Sequence, residues 1–260
     1  MTMRSLARCS ACLLALAVMV ACASSPPPRP AEAAPEIDLT NPLAGTLLMQ
    51  QGRALVNEGK IPEGMAKYTL ALKLQPDNPT LHNLIGMAEL QRGNAGKALE
   101  SFNRALRLAP KFSDALNNRG AAYMQLAQYS LAESDYLSVL SDNTYANRSG
   151  VYYNLGSLYF VRGNLAAAEE NLRRATREEG PVEAYFLLGQ VEEKLGKVAL
   201  AETAYRDAMT RAPERPDVIL ALAKLVDVQG RKGEARDLYL KVIAAAPGSL
   251  EAQQARVRLE

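Results

Sequence analysis

Few side chains of this sequence could carry covalent chemistry. The three cysteines all lie within the first 22 residues, at Cys9, Cys12 and Cys22, and His82 is the single histidine. A nucleophilic thiol needs a base beside it, and zinc needs several histidine, cysteine or carboxylate ligands. The sequence offers neither, and it has no glycine-rich phosphate loop or Ser-x-x-Lys motif. We therefore predict that the protein is not an enzyme and uses no cofactor, metal or small-molecule substrate, and we interpret His82 as a packing residue.

Two pairs of acidic residues do not change this prediction. Glu169-Glu170 and Glu192-Glu193 fall on predicted helices. Acidic side chains are rarely buried unless they are paired with a cation. We therefore interpret both pairs as solvated helix surface.

The N-terminus has the features of an export signal. The opening MTMRSLAR carries Arg4 and Arg8 and no acid, and an apolar run from Ala11 to Ala21 follows it. These eleven residues would make a helix of about 16 Å, too short for a bilayer core that needs about 20 residues. A basic start and a short apolar run are typical of a secretory signal, which we assign to residues 1–21. An N-terminal core helix is the alternative, and the prolines that follow disfavour it.

Cys22 is the predicted lipidation site. Met19-Val20-Ala21-Cys22 resembles a bacterial lipobox, in which a small residue precedes the cut and the cysteine thiol accepts diacylglycerol, although Met19 departs from the usual leucine. After cleavage Cys22 would be the only cysteine left, which suits an oxidising, exported compartment. The resemblance implies a lipid anchor in a membrane. Ala23 stands where an aspartate would signal inner-membrane retention, so we expect an outer-membrane protein that faces the periplasm.

A proline-rich tether is predicted to follow the anchor. Residues 23–42 read ASSPPPRPAEAAPEIDLTNP, with six prolines and no hydrophobic period. Proline removes backbone donors and fixes φ, so this tract should be extended and solvated. At ~3.1 Å per residue, about 20 residues reach roughly 60 Å, enough to hold a globular body away from a membrane. We assign residues 22–44 to the lipidated cysteine and tether; a disordered end without a role is the alternative.

Composition limits the classes of partner. The chain has 260 residues, 48% of them hydrophobic, and a formal charge of +2. Of its 30 basic side chains, two are the arginines of the predicted signal. Without the signal, 28 basic and 28 acidic side chains remain. A neutral domain without a basic stripe is not expected to bind nucleic acid. Abundant alanine and sparse β-branched residues favour helix throughout.

The rest of the chain repeats at intervals of 34, 34, 36, 33 and 34 residues. A first series of small residues comprises Gly52, Gly86, Gly120, Gly156, Gly189 and Ala223. A second series follows at Gly64, Ala98, Ala132, Ala168, Ala201 and Ala235. Large side chains come next, at Tyr68, Phe102, Tyr136, Leu172, Tyr205 and Tyr239, and then Ala71, Ala105, Val139, Ala175, Ala208 and Val242. Prolines close four of the units, at Pro76, Pro110, Pro213 and Pro247.

This pattern resembles the tetratricopeptide repeat from Gly45 to Ser249. Each unit should be two helices joined by a tight turn, with small residues where the helices cross and an aromatic side chain between them. The expected turns lie at Gly59, Gly93, Gly163, Gly196 and Gly230. Because one unit cannot bury its own apolar face, neighbours stack. The predicted fold class is all-α: a right-handed superhelix of six such repeats over residues 45–249, plus a polar capping helix at residues 250–260.

The junction after the third unit is irregular. This unit runs 36 residues to the next, carries Val139 in place of alanine and lacks a closing proline. The extra residues between Leu140 and Gly156 should loosen the angle between the third and fourth units. Either they divide the groove into two functional halves, or they are tolerated drift in a loop.

The whole layout resembles the type IV pilus biogenesis lipoproteins of the PilF, PilW and Tgl kind. Six repeats, a lipobox, a proline tether and a lengthened junction carry the resemblance, and Tyr145, Arg148, Asn154 and Gly156 fit the family's junction. The proline common in that loop of the family is absent here. The resemblance implies a pilotin, an outer-membrane lipoprotein that helps the secretin pore subunit of the pilus to reach the membrane and multimerise.

The concave side of the superhelix should hold the partner. There the first helix of each unit faces the groove through its second, fifth, ninth and twelfth residues. The predicted partner-binding residues, at or beside these positions, are Met49, Asn83, Met87, Leu90, Asn117, Asn118, Met124, Tyr153, Asn154 and Phe160, and Val56 and Phe186 face the same side. Methionine and aromatic side chains make adaptable apolar surfaces, and asparagine amides can hold a peptide backbone. The alternative is that several of these residues pack against the neighbouring repeat.

Two hypotheses about function follow from these features. The first is a non-enzymatic assembly factor that captures an apolar helix or extended segment of a type IV pilus secretin. The second is a scaffold lipoprotein that recruits cell-wall enzymes or joins an outer-membrane barrel-assembly complex. A lysine-based clamp for C-terminal carboxylates is missing from the groove positions, so an anionic tail is not the expected ligand.

Overall fold

The computed structural model describes residues 38–260, and residues 39–260 form one compact unit. The predicted signal, Cys22 and residues 23–37 of the tether lie outside the described residues. The described part of the chain contains thirteen α-helices and no strand. In chain order they are α1 Ala44–Asn57, α2 Ile61–Leu74, α3 Pro79–Gln91, α4 Ala95–Leu108, α5 Ser113–Gln125, α6 Tyr129–Leu140, α7 Arg148–Val161, α8 Leu165–Arg177, α9 Val182–Lys194, α10 Val198–Arg211, α11 Pro216–Val228, α12 Lys232–Ala245 and α13 Leu250–Leu259.

Twelve of the helices form six antiparallel pairs, from α1 with α2 to α11 with α12. The predicted all-α superhelix of six tetratricopeptide repeats is confirmed. The five predicted glycine turns are observed, each with positive φ, as at Gly59 (φ +79°). The turn of the third pair has no glycine, and Ala127 takes the same conformation there with φ +55°.

Small residues let the two helices of each pair approach closely. A Cβ atom added at Gly86 of α3 would lie 2.5 Å from the ring of Phe102 on α4. Phe102 itself is fully buried, and so are the tyrosines at the equivalent position of four other repeats. This is the crossing that the repeat pattern predicts, and it places the core between the paired helices.

The irregular junction is a hydrogen-bonded loop between α6 and α7. Ser113 Oγ donates to Asp142 at 3.0 Å, and Tyr145 OH donates to Asp114 at 2.9 Å. Arg148 donates from Nη1 to the carbonyl oxygens of Leu140 and Asp142, at 3.0 and 3.2 Å. Val151 and Leu155 of α7 share a buried cluster with Tyr136 of the third repeat, and the expected loosening of the angle between these repeats stays a prediction. A functional division of the groove stays a prediction.

The interpretation of both acidic pairs as solvated surface is wrong for one member of each. Glu169 on α8 and Glu192 on α9 are 8% and 2% exposed. Arg173 lies between them, with Nη2 2.8 Å from Glu169 and 2.9 Å from Glu192, and Lys197 contacts Glu169 at 2.6 Å. Burial raises the pKa of Glu192, and the hydrogen bond from Arg173 opposes that effect. Arg173 lies one turn after Glu169 on α8, a spacing that the sequence shows, whereas the contacts of Arg173 with Glu192 and of Lys197 with Glu169 join successive repeats.

The C-terminal helix α13 covers the last repeat. Ser249 caps it by accepting a hydrogen bond from the amide of Ala252 at 3.1 Å. Ala252 and Ala255 are fully buried, whereas Arg256 and Arg258 are exposed. Leu250 and Val257 are also exposed, at 63% and 69%, so the outer side of α13 is mixed and its role as a polar cap stays a prediction. None of the helices of residues 38–260 has the length and apolar character needed to traverse a bilayer.

Candidate protein-binding groove

The first helices of successive repeats lie side by side. Helix α1 contacts α3, α3 contacts α5, α5 contacts α7, and α7 contacts α9, whereas no two second helices in residues 38–260 pack to a similar extent. Successive units of a superhelix are closest on its inner side. The first helices therefore line the concave wall, and all ten predicted partner-binding residues of the repeats lie on α1, α3, α5 or α7.

Four asparagines of this wall form a ladder between helices. Asn118 Nδ2 on α5 donates to Asn83 Oδ1 on α3 at 3.0 Å. Asn154 Nδ2 on α7 donates to Asn117 Oδ1 on α5 at 3.0 Å. Asn83 is only 5% exposed, so its amide lies within the wall, whereas the other three asparagines are half-buried. An amide has two donor hydrogens and an oxygen with two lone pairs, so the half-buried members keep capacity for a peptide backbone.

Apolar side chains flank the asparagine ladder. Met87 is 37% exposed, beside Asn83, whose Nδ2 lies 3.9 Å from its sulfur. The remaining predicted residues of the wall are half-buried: Met49, Leu90, Met124, Tyr153 and Phe160. Leu90, Met124, Tyr153 and Phe160 also pack on the cores beneath them, as the alternative reading supposed for several residues. The structure thus brings nine of the ten close to a neighbour on the wall or core, and contact with a partner stays a prediction for all ten.

A cavity of about 680 Å³ opens at the C-terminal half of the wall. It extends from α7 to α13, and Phe160 and Phe186 form its apolar side. Its polar lining comprises Gln190, Glu193, Lys194, Asp217, Lys224, Glu251 and Gln254. Phe160 was predicted as a partner-binding residue and Phe186 as groove-facing; the polar residues were not predicted. Most of them occupy the same second, fifth, ninth and twelfth positions of the later repeats, so extending the groove periodicity by two units would have found them.

One of the five charged residues that line this cavity, Asp217, forms an ion pair within the protein. Arg215 pairs with Asp217 at 2.8 Å and stacks over Phe186 at 5.4 Å from the ring centre. The hydrogen bond from Arg215 lowers the pKa of Asp217. Lys224 Nζ donates to Gln254 at 2.7 Å. The C-terminal half of the concave wall is therefore polar. The apolar part of the wall lies on α3, α5 and α7.

A candidate metal site is not found among the described residues. Within residues 38–260, no three histidine, cysteine, aspartate or glutamate side chains are grouped so that they could hold a metal ion. His82 lies half-buried on α3, with Nε2 3.0 Å from the carbonyl oxygen of Pro76. This contact ties α3 to the loop before it, which agrees with a structural role.

Comparison with known proteins identifies the repeat. A family model for the tetratricopeptide repeat matches residues 49–111, 83–150, 153–216 and 187–249. The chain belongs to the tetratricopeptide repeat family. Proteins with this fold are generally non-catalytic scaffolds that bind other proteins on an extended concave surface.

Two solved tetratricopeptide structures have a similar fold over nearly their whole length. One is pilF of Pseudomonas aeruginosa, with a TM-score of 0.73, 21% identity, and coverage of 82% of this chain and 97% of that one. The other is PilW, described as a widely conserved type IV pilus biogenesis factor, with a TM-score of 0.74, 21% identity, and coverage of 81% and 97%. At this level of identity the likeness concerns the fold.

The curated relatives match this chain over part of their own length. Human protein O-mannosyl-transferase TMTC2 is 31% identical over 110 residues, which are 40% of this chain and 13% of that protein. This chain spans between 13% and 35% of the first curated relatives it matches.

Proposed function

We propose that this tetratricopeptide protein is a non-enzymatic assembly factor for the type IV pilus secretin, of the pilotin kind. The observation that carries the proposal is the likeness of fold to pilF and PilW, with TM-scores of 0.73 and 0.74 over 97% of each of those chains. Longer tetratricopeptide proteins match only in part. The proposed partner is a secretin subunit.

The proposed binding surface is the concave wall formed by α3, α5 and α7. Met87 offers exposed apolar area, Met124 and Tyr153 continue it, and the amides of Asn117 and Asn154 stand beside it. Such a wall suits an apolar segment whose backbone also needs hydrogen-bonding partners. The charged cavity between α7 and α13 is less suited to that segment.

The proposed location is the periplasmic face of the outer membrane, through a lipid on Cys22. A tether of about 20 residues would let the domain sample roughly 60 Å from its anchor. A client bound in the groove would then be held near the membrane at a raised effective concentration. Multimerisation of the secretin would follow from that concentration without any chemical step.

Deletion of the gene tests the proposal in the cell. Secretin should accumulate as monomer on a denaturing gel, while other outer-membrane barrels assemble normally. Reintroducing the Cys22→Ser variant should leave the domain in the soluble fraction and restore few multimers. Unchanged secretin multimers in the deletion strain would contradict the proposal, and altered cell-wall hydrolysis in that strain would instead support the second hypothesis, a scaffold for cell-wall enzymes.

A further inference from the structure

The described residues carry five methionines and no cysteine, so methionine is the sulfur-bearing side chain of residues 38–260. They are Met49, Met65, Met87, Met124 and Met209. Met87 is exposed, at 37%, whereas the other four are half-buried. Met124 and Met209 also pack against buried clusters. A small solute therefore reaches Met87 more readily than it reaches the other methionines of the described residues.

The side-chain amide of Asn83 is directed at the sulfur of Met87. Asn83 lies one turn before Met87 on α3, with Nδ2 3.9 Å from Sδ. Asn83 is only 5% exposed, and within residues 38–260 the sulfur is the only acceptor that its Nδ2 meets. A thioether sulfur is a weak acceptor, whereas buried amide groups normally have a strong one. The Asn83 donor is therefore poorly satisfied while Met87 is reduced.

Oxidation of Met87 supplies the acceptor that this amide lacks. In the reaction with hydrogen peroxide, a lone pair of Sδ attacks one peroxide oxygen and the O–O bond breaks. The proton of the transferred oxygen passes to the departing hydroxide, which leaves as water. The sulfur loses an electron pair, the peroxide gains it, and the product is methionine sulfoxide. Its oxygen is a stronger hydrogen-bond acceptor than the thioether sulfur.

We propose that Met87 is an oxidation site of the concave wall, at which the sulfoxide oxygen accepts a hydrogen bond from Nδ2 of Asn83. The oxygen of the same amide keeps its contact with Asn118 Nδ2 at 3.0 Å, so the asparagine ladder is retained. Met87 is the most exposed of the ten predicted partner-binding residues, so the added oxygen requires no new space in the core. The modification leaves the fold intact and makes this apolar side chain of the wall polar.

The consequence for the client rests on the function proposed above. An apolar client segment packed on Met87 would have to desolvate the sulfoxide oxygen, which the one hydrogen bond from Asn83 satisfies only in part. Oxidation should therefore release the client from the wall. Methionine sulfoxide reductases reverse the modification, so the release is reversible. The substrate class of this site is a small two-electron oxidant, such as a peroxide.

Peptide mass spectrometry after limited oxidation tests the site. The chain from residue 23 to residue 260 has no cysteine and includes the compact unit 39–260, so it suits brief treatment with hydrogen peroxide. Sulfoxide should appear on Met87 before the other four methionines, and the side-chain amide proton of Asn83 should move downfield in the proton–nitrogen correlation spectrum. The Asn83→Ala variant assigns that resonance by its absence. Earlier oxidation of another methionine, such as Met65 on α2, or an unmoved Asn83 resonance would overturn the proposal.

Capture of detergent-solubilised secretin tests the consequence. The oxidised protein should bind secretin roughly tenfold more weakly than the untreated protein. Met87→Leu lacks the thioether, so capture by this variant should be the same before and after treatment with peroxide. Equal capture by the untreated and the Met87-oxidised protein would overturn the release of the client. Failure of the untreated protein to capture secretin would instead overturn the proposed function, and the mass spectrum and the Asn83 resonance would still decide the oxidation site.

Discussion

Asn154 on α7 donates a 3.0 Å hydrogen bond from Nδ2 to Asn117 Oδ1 on α5, and so joins the third and fourth repeats across the irregular junction. The same kind of bond joins Asn118 to Asn83 one repeat earlier. From their position in the repeat, these amides are predicted to bind the backbone of a partner peptide. The structure gives them a second role, because they also hold the concave wall together where a client would lie.

The first prediction concerns this ladder. Asn154→Ala should lower the free energy of unfolding by about 1 kcal/mol, since it removes one hydrogen bond and leaves a half-buried amide without its partner. Urea unfolding measures the change. Asn143→Ala, in the exposed loop between α6 and α7, is the control and should change stability by no more than about 0.5 kcal/mol. Equal stability of Asn154→Ala and the unmodified protein would show that the amide pair contributes nothing to the wall.

The second prediction concerns the apolar part of the groove. Met87→Asp should weaken capture of detergent-solubilised secretin at least tenfold, because a carboxylate would have to be desolvated against an apolar segment. Met87 is 37% exposed, so the variant should fold normally. Leu131→Asp adds the same charge on α6, outside the wall, and should bind like the unmodified protein. Undiminished capture by Met87→Asp would place the secretin site elsewhere.

The third prediction concerns the crossing of α3 and α4. Gly86→Ala should destabilise the protein by about 1–3 kcal/mol, because its Cβ would lie 2.5 Å from the Phe102 ring. Gly96→Ala, in the first turn of α4, meets no atom within 4 Å and should stabilise by up to about 0.5 kcal/mol through its helix propensity. The melting temperatures of the two variants should therefore shift in opposite directions from that of the unmodified protein. Shifts of the same sign would contradict the predicted crossing.

The fourth prediction concerns the acid sensitivity of the last repeats. Arg231 and Arg206 donate to Glu202 at 2.8 and 2.7 Å, and they lower the pKa of this carboxyl from 4.5 to about 2. A carboxyl whose pKa is lower in the folded state stabilises the fold above its unfolded pKa, and it loses that contribution as the pH falls toward the folded value. Glu202→Gln should therefore be less stable than the unmodified protein at pH 7. Solvent screens the interaction, because both guanidinium groups are partly exposed. We therefore expect a loss of stability on the order of 1 kcal/mol.

Denaturant unfolding as a function of pH checks this prediction. The stability difference between Glu202→Gln and the unmodified protein should shrink between about pH 5 and about pH 3. Glu170→Gln is the control, since Glu170 pairs with Arg174 within one helix and its side chain is 63% exposed. That variant should differ by only a few tenths of a kcal/mol at any pH. If the stability difference between Glu202→Gln and the unmodified protein did not change with pH, the arginines would not stabilise the fold through the charge of Glu202.

The sequence predicts much of the groove, because in a repeat protein the spacing of residues along the chain determines which helix and which side of it they occupy. The periodicity placed Met87, Asn117 and Tyr153 on first helices, and the structure has them there. The same periodicity would have reached Lys224 and Glu251 had it been extended through the last units. What it could not predict is that Asn117 meets Asn154 directly, because that contact depends on the rotation of one repeat relative to the next.

The sequence by itself determined the helical repeats, their turns and the aromatic–glycine crossings, because each is a local pattern or recurs with the period of one unit. It also fixed the features of the N-terminal segment on which the anchor hypothesis depends. Only the tertiary structure decided which charges are buried, as Glu192 and its partner Arg173 show, and that Leu47 of the first repeat is exposed where its equivalents in later repeats are buried. Both follow from the stacking of successive repeats, since burial is set by neighbours that lie a full repeat away along the chain.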